Sequence, residues 1–406
     1  MILLLLPKIN FVGFRGETAG IRLDDIILLI VAGAMLIDWM GRLELTIEPL
    51  PLAGFTVVGT SCLSNLANLG IGHSSILYSL RLAEYMIFFW SGKYLVRRGY
   101  DFYLLVKVLV LLNFLVAILQ YAGFIGGFAT LGYEAPVGRP FGVSANHPAE
   151  MAAMLNLAFA VLAFGDESAR FWRWSLIVGF FVVITGSRSA LAAHCLLMLV
   201  YVYRHSKNKA NFVLTSVGFS ALLVAIVVAV PNDITSRSAD LFSWQNVQTF
   251  RDVYDRIPVD RQFADVSEGG SPEDSPEGVD ISWYMRGYKW AEVVKTMFAQ
   301  PWVIWILGVG PGGIGIALDG GWLRLVVETG VVGTFVFLAL LRKISRLSAS
   351  CSMAVLALGV NMFMVDSQLA YKVMAFLFFL AGTQVQRNFE QRVGGNSIVD
   401  SELRPA

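Results

Sequence analysis

Apolar stretches of roughly 17 to 23 residues, rich in Leu, Val, Ile and Phe, recur along this chain with polar gaps between them. An α-helix needs about 20 residues to cross the hydrocarbon of a bilayer, so each stretch predicts one crossing. The pattern lacks the short alternating segments of an outer-membrane barrel, and helices satisfy their own backbone hydrogen bonds in lipid. Eleven spans are predicted, near residues 24–41, 50–71, 75–96, 102–122, 147–165, 171–186, 188–204, 211–230, 321–341, 348–365 and 369–386. The opening MILLLLPKINF is too short to cross and is interrupted by Pro7. It reads as a half-span, an interfacial segment or the remnant of a longer start, and leaves the side of the N-terminus open.

The gaps sort by charge. Arg97 with Arg98, Arg170 with Arg173, Arg204 with Lys207 and Lys209, Arg342 with Lys343 and Arg346, and Arg387 with Arg392 fall in alternate gaps, which the positive-inside rule places in the cytoplasm. The complementary gaps, 123–146, the tight junction at 187 and the long segment 231–320, then face outward. The predicted organisation is an N-terminal transmembrane bundle (1–230), an outer loop with amphipathic helices (231–320), C-terminal transmembrane helices (321–390) and a cytoplasmic tail (391–406). Within the loop, SEGGSPEDSPEG (267–278) has the composition of a mobile strip. ISWYMRGYKWAEVVKTMFA (281–299) instead places Ile281, Met285, Tyr288 and Phe298 near helical spacing, which predicts an amphipathic helix lying on the outer surface with Arg286 and Lys289 to one side.

Composition agrees with a bilayer. The 406 residues are 56% hydrophobic and only 15% charged, with a mean hydropathy of +0.63. A net charge of +1 points to no polyanionic partner and hence to no nucleic acid. Cys62, Cys195 and Cys351 are odd in number and lie inside apolar runs, so neither a disulfide framework nor a zinc site is indicated.

The candidate chemistry gathers where spans begin on the outer side. Asn146, His147 and Pro148 open one, Ser187 and Arg188 another, and Asp319 a third. If these helices converge, their amide-rich ends point at one pocket suited to phosphate. Arg139 and Arg188 would stand beside it, Arg286 could reach in from the loop, and guanidinium forks suit phosphate oxygens. For Arg139 and Arg188, snorkelling to lipid headgroups remains the competing reading. His147 is equally readable as structural, and Asn146 caps a helix with or without a ligand. Charges deeper in the spans, Arg81 with Glu84 and Arg324 with Glu328, have spacings that allow pairing along one helix face, while Glu150 and Asp366 are polar candidates for the pocket wall. GVGPGG (308–313) satisfies a dinucleotide-loop pattern but follows no strand, so it predicts a flexible turn. PEDSPE is a weak metal anchor, and no metal is expected.

The stretches GRPFGVSANHPAEMAAML, ITGSRSALAA, MRGYKWAEVV followed by ILGVGPGG, and DGGWLRLVVETGVVG, in this order over residues 138–333, resemble the O-antigen polymerase and O-antigen ligase superfamily of bacterial polysaccharide assembly. The resemblance implies an all-α polytopic integral membrane protein, a GT-C-like helical bundle of about 11–12 transmembrane helices with one long extracytoplasmic loop. It also implies a glycosyltransferase in the bacterial inner membrane, with its active site facing the periplasm and no cofactor. Implied partners are undecaprenyl-diphosphate-linked oligosaccharides as donor and acceptor, membrane lipid, and a chain-length regulator protein. Arg188 and Arg286 carry over as catalytic, with Arg139 a third cation at the diphosphate. Ligases of the family carry His, ten residues, then Gly at the span after the loop; here Asp319 and Gly330 hold that spacing, which favours a polymerase.

On this reading Asp319 orients or deprotonates the attacking hydroxyl, with Glu150 and His147 as substitutes, and Arg139, Asn146, His147, Glu150, Ser187 and Lys289 bind diphosphate or saccharide. A ligase transferring to lipid A core is the alternative within the family. A lipid-linked sugar flippase is the alternative of another class, for which paired repeats would be expected and none is evident.

Overall fold

The computed structural model describes residues 2–6, 10–14, 19–42, 48–67, 73–126, 139–144, 147–165, 170–206, 208–229, 248, 251–252, 254–255, 281–314 and 318–402. Asn146 and the strip 267–278 lie outside the described residues, and of the outer loop 231–320 only parts are described.

One helical turn, α1 (Ile2–Leu5), is followed by a hairpin of β1 (Asn10–Phe14) and β2 (Ala19–Arg22). Then come α2 (Leu23–Arg42), α3 (Pro49–Ala67), α4 (His73–Arg97), α5 (Phe102–Tyr121), α6 (Pro148–Phe164), α7 (Phe171–Thr185), α8 (Arg188–His205) and α9 (Lys209–Ala229). The remaining elements are α10 (Ile281–Phe298), α11 (Trp302–Leu307), α12 (Gly321–Ser345), α13 (Ala349–Asn361) and α14 (Tyr371–Glu402). The described residues are overwhelmingly helical, as expected, with this short hairpin added. NFVGF and AGIR are short, β-branched and aromatic segments whose strands pair antiparallel, Gly13 opposite Gly20. Helix α14 runs on past residue 391 to Glu402 as one helix.

Hydrogen bonds and ring contacts show which helix ends lie together. At one end Lys343 Nζ donates to Pro49 O (3.2 Å), Arg97 Nε to Gln386 Oε1 (3.1 Å) and Asn388 Nδ2 to Leu347 O (3.1 Å), and Arg387 lies over the Tyr103 ring. At the other, Lys372 Nζ bonds Leu3 O and lies 3.4 Å from Asp24, Ser64 Oγ bonds Leu307 O, and Trp322 N donates to Met362 O. The ends of α4 and α12 and the starts of α3, α5 and α13 therefore lie together, and the starts of α2, α12 and α14 lie with the ends of α3 and α13. The first end carries Arg97, Lys343 and Arg387 and is the basal end here; the second is the site end. The N-terminal turn α1 sits at the site end with Leu3 and Leu4 buried.

Helix α6 is central. Every residue from Pro148 to Ala163 is buried, and its alanines let α7, α8 and α13 approach closely. Helices α4 and α14 run parallel and meet backbone to backbone, since a Cβ at Gly92 would strike Phe379 O and one at Gly382 would strike Phe89 O. Among the described helices, α5 and α12 are long and apolar enough to cross a membrane, and α6, α7 and α13 are apolar but shorter. Helices α2, α3, α5, α9 and α12 also expose large apolar side chains, among them Leu29, Ile30, Leu63, Leu104, Leu115, Leu214 and Phe335. A surface of this kind suits lipid rather than water.

Helix α12 departs from a straight span at Gly330, whose φ of 63° and ψ of −173° break the helix. The break leaves carbonyls without helical partners, and GVGPGG supplies them: Val309 N donates to Val327 O and Gly310 N to Glu328 O, both at 2.9 Å. A Cβ at either Gly308 or Gly330 would meet the other's backbone N at 2.5 Å. The expected flexible turn is instead a seat built into the kink, because backbone groups there would otherwise go unsatisfied.

Candidate functional site

The site end is organised around the loop that enters α12. Asp319 is the residue with positive φ (53°) that is not glycine among the described residues. Such a conformation costs of the order of 1–3 kcal/mol and persists only when the surroundings enforce it. Here they do. Asp366 Oδ2 accepts from Leu318 N (3.0 Å) and Oδ1 from Gly320 N (3.1 Å), gripping the backbone on both sides of Asp319. Trp290 Nε1 donates to Leu318 O at 3.0 Å, and a Cβ at Gly320 would come within 2.7 Å of that nitrogen.

Asp366 is itself held by Arg324, whose Nη1 donates to Oδ2 at 2.9 Å. Arg324 Nε donates to Glu328 Oε1 (3.0 Å) and Nη2 to Ile314 O (3.2 Å), and Glu328 Oε1 also accepts from Gly312 N (3.1 Å). The Arg324–Glu328 pair along one helix face is as the spacing predicts. Its extension to Asp366, 42 residues away, makes a buried chain of ion pairs that steadies the Asp319 loop.

Helix α10 brings the loop cations to this point. Arg286 Nη1 donates to Ser282 Oγ (2.8 Å), while its Nε lies 3.9 Å from Asp319 Oδ2, outside hydrogen-bond reach. That Nε is buried and has no hydrogen-bond acceptor among the described residues. Burial pushes the Asp319 carboxyl above the ordinary carboxylate range; Arg286 opposes this, Asp366 reinforces it, and Lys289 and Arg324 also oppose it. The helix is more deeply packed than expected of an amphipathic helix lying on a surface. Tyr284, Ala291, Glu292, Val293, Thr296 and Met297 are buried, whereas Phe298, expected on the apolar face, is exposed. The reason is that α10 has two neighbours, the core formed with Ile314, Leu318 and Val327 and the segment at Tyr254.

A second group forms at the corner between α7 and α8. Gly186 ends α7 in the left-handed conformation, and Ser187 stands at the N-cap of α8 without a side-chain cap bond. Arg188 is the first residue of α8 and is half-buried. Arg139 Nε donates to Thr185 O (2.8 Å), tying the segment before α6 to this corner. His147 caps α6 by accepting from Ala149 N at Nδ1 (3.1 Å), and Glu150 is buried in the first turn. The segment 141–144 is clamped by two amides of α5. Gln120 Oε1 accepts from Phe141 N and Gly142 N, and Asn113 Oδ1 from Val143 N and Ser144 N.

The structure thus joins Arg286, Lys289 and Asp319 in one group, and Arg139, Ser187 and Arg188 in another at the same end of the bundle. His147 serves its helix as a cap, the structural reading given to it above. Sequence reasoning missed Trp290, Asn113, Gln120 and the fully buried Asp24–Lys372 pair. The available signal was modest: Asn113 and Gln120 are seven apart, hence on one face of an otherwise apolar helix. Among the described residues no group of His, Cys, Asp and Glu has the arrangement of a metal site. No protein-family model matches the chain, and no curated protein matches it.

Proposed function

We propose that this protein is an inner-membrane glycosyltransferase that polymerises undecaprenyl-diphosphate-linked oligosaccharide units, acting at the periplasmic face through the site end of its bundle. The observation that carries this reading is the buried Arg286 Nε, a charged donor without an acceptor among the described residues, held 3.9 Å from a strained Asp319. Such a donor suits a phosphate oxygen that arrives with the substrate. The cationic loops at the opposite end support an outward-facing site, and the sequence resemblance supplies the reaction class.

In the proposed reaction a sugar hydroxyl on the incoming unit attacks the anomeric carbon of the donor saccharide from the face opposite the diphosphate. The new C–O bond forms as the bond from that carbon to the phosphate oxygen breaks, and the diphosphate leaves with the electron pair. Arg286, Arg188 and Arg139 offset the charge that develops on it. Asp319, ionised, takes the hydroxyl proton. Its bracing by Asp366 and Trp290 keeps the carboxylate in place through the step.

The test supplies purified protein in lipid nanodiscs with a diphosphate-linked oligosaccharide. A ladder of products lengthened by whole units is expected. One transfer to a different acceptor would indicate a ligase, and movement of lipid without a new bond a flippase. Asp319→Asn should abolish single-turnover transfer while the protein still inserts; undiminished transfer would exclude this carboxylate as the base.

A further inference from the structure

Arg286 does not stand alone on its helix. Trp283 and Trp290 lie three residues before and four after it, so the three side chains share one face of α10. The two indoles meet edge to face with centroids 6.0 Å apart and an interplanar angle of 76°. Trp290 is fixed by its hydrogen bond to Leu318 O, immediately before Asp319. Trp283 is therefore braced in turn, and both rings are only partly buried. The opposite face of α10 has its own partner, since Lys295 Nζ donates to Tyr254 O and Tyr284 packs with Tyr288.

Two part-exposed indoles beside a cation and a carboxylate have a plain chemical meaning. A flat aromatic surface covers the C–H face of a pyranose ring, while a carboxylate accepts from its hydroxyls, and pockets that orient polar ligands combine these two features. We infer that Trp283 is a saccharide-binding residue: it stacks against the sugar joined directly to the diphosphate that Arg286 grips, so that the site distinguishes a loaded lipid carrier from a bare one. This inference rests on the diphosphate reading of Arg286 and deepens it by naming the pyranose as the second recognised group.

The experiment compares the binding of undecaprenyl diphosphate and of undecaprenyl diphosphate carrying one N-acetylhexosamine to the full chain in nanodiscs. Wild type should prefer the sugar-bearing lipid by on the order of fivefold, the factor that about 1 kcal/mol of ring stacking supplies. Trp283→Leu, which keeps apolar bulk but removes the ring, should lose that preference and bind the bare lipid as before. Trp283→Phe should restore part of it. A Trp283→Leu protein that keeps the whole preference overturns the inference, and so does one that loses both ligands together, because the residue would then be structural. If Arg286→Gln leaves bare-lipid binding intact in the wild-type background, the diphosphate reading falls separately. Wild type that binds neither lipid overturns both.

Discussion

Asp366→Asn tests the bracing of the site most directly. The native carboxylate accepts from two backbone amides and from Arg324, and the side chains of the ion pair are 5% and 13% exposed. An asparagine retains one acceptor oxygen and turns an NH2 group toward the remaining donors, so one backbone bond and the ion pair are lost. A hydrogen bond to a charged group contributes about 1.5–3 kcal/mol. Removing one partner of a buried pair costs roughly 3–5 kcal/mol, but Arg324 keeps Glu328 and Ile314 O, which places its share at or below the low end. The expected loss is about 3–4 kcal/mol in equilibrium unfolding from mixed micelles. A displaced Asp319 should also slow single-turnover transfer by on the order of a hundredfold. In a double-mutant cycle with Arg324→Gln, the two positions should couple by about 1–3 kcal/mol. Additive effects within about 0.5 kcal/mol would refute the chain of ion pairs as the brace.

Other outcomes follow from the same geometry. Because burial raises the Asp319 carboxyl, and only its ionised form accepts a proton, the acid limb of the single-turnover pH profile should lie above the ordinary carboxylate value of about 4. Lys289→Gln removes a cation that favours ionisation and should move that limb to higher pH; movement to lower pH would contradict the assignment. Gly330→Ala places a Cβ in a backbone region confined to glycine and against Gly308 N, and should cost more than about 3 kcal/mol, read as loss of folded protein after detergent extraction. Gly382→Leu should separate α4 from α14 and be as damaging by the same measurement. By contrast Gly359→Ala meets, among the described residues, Trp322 at 3.6 Å, and should be neutral or stabilise by about 0.5–1 kcal/mol.

Local chemistry alone carried much of this protein. Runs of Leu, Val and Ile near 20 residues leave few choices for a backbone in lipid, so the helical character of the chain and the long apolar α5 and α12 follow from pattern. The clustering of Arg and Lys in particular gaps likewise matches one end of the bundle, where Arg97, Lys343 and Arg387 lie. Asp319 and Arg286 stood out because ionisable groups at the mouths of apolar helices are few. None of this, however, says which distant residues meet. That Asp366 grips the Asp319 loop, that Trp290 seals it, that Gly330 opens α12 to receive GVGPGG, and that α10 packs inward were decided only by the tertiary structure. The physical reason is that such contacts satisfy backbone donors and acceptors left over by kinks and loops, and a leftover group takes whatever partner the packed helices bring near it, however far away in the chain.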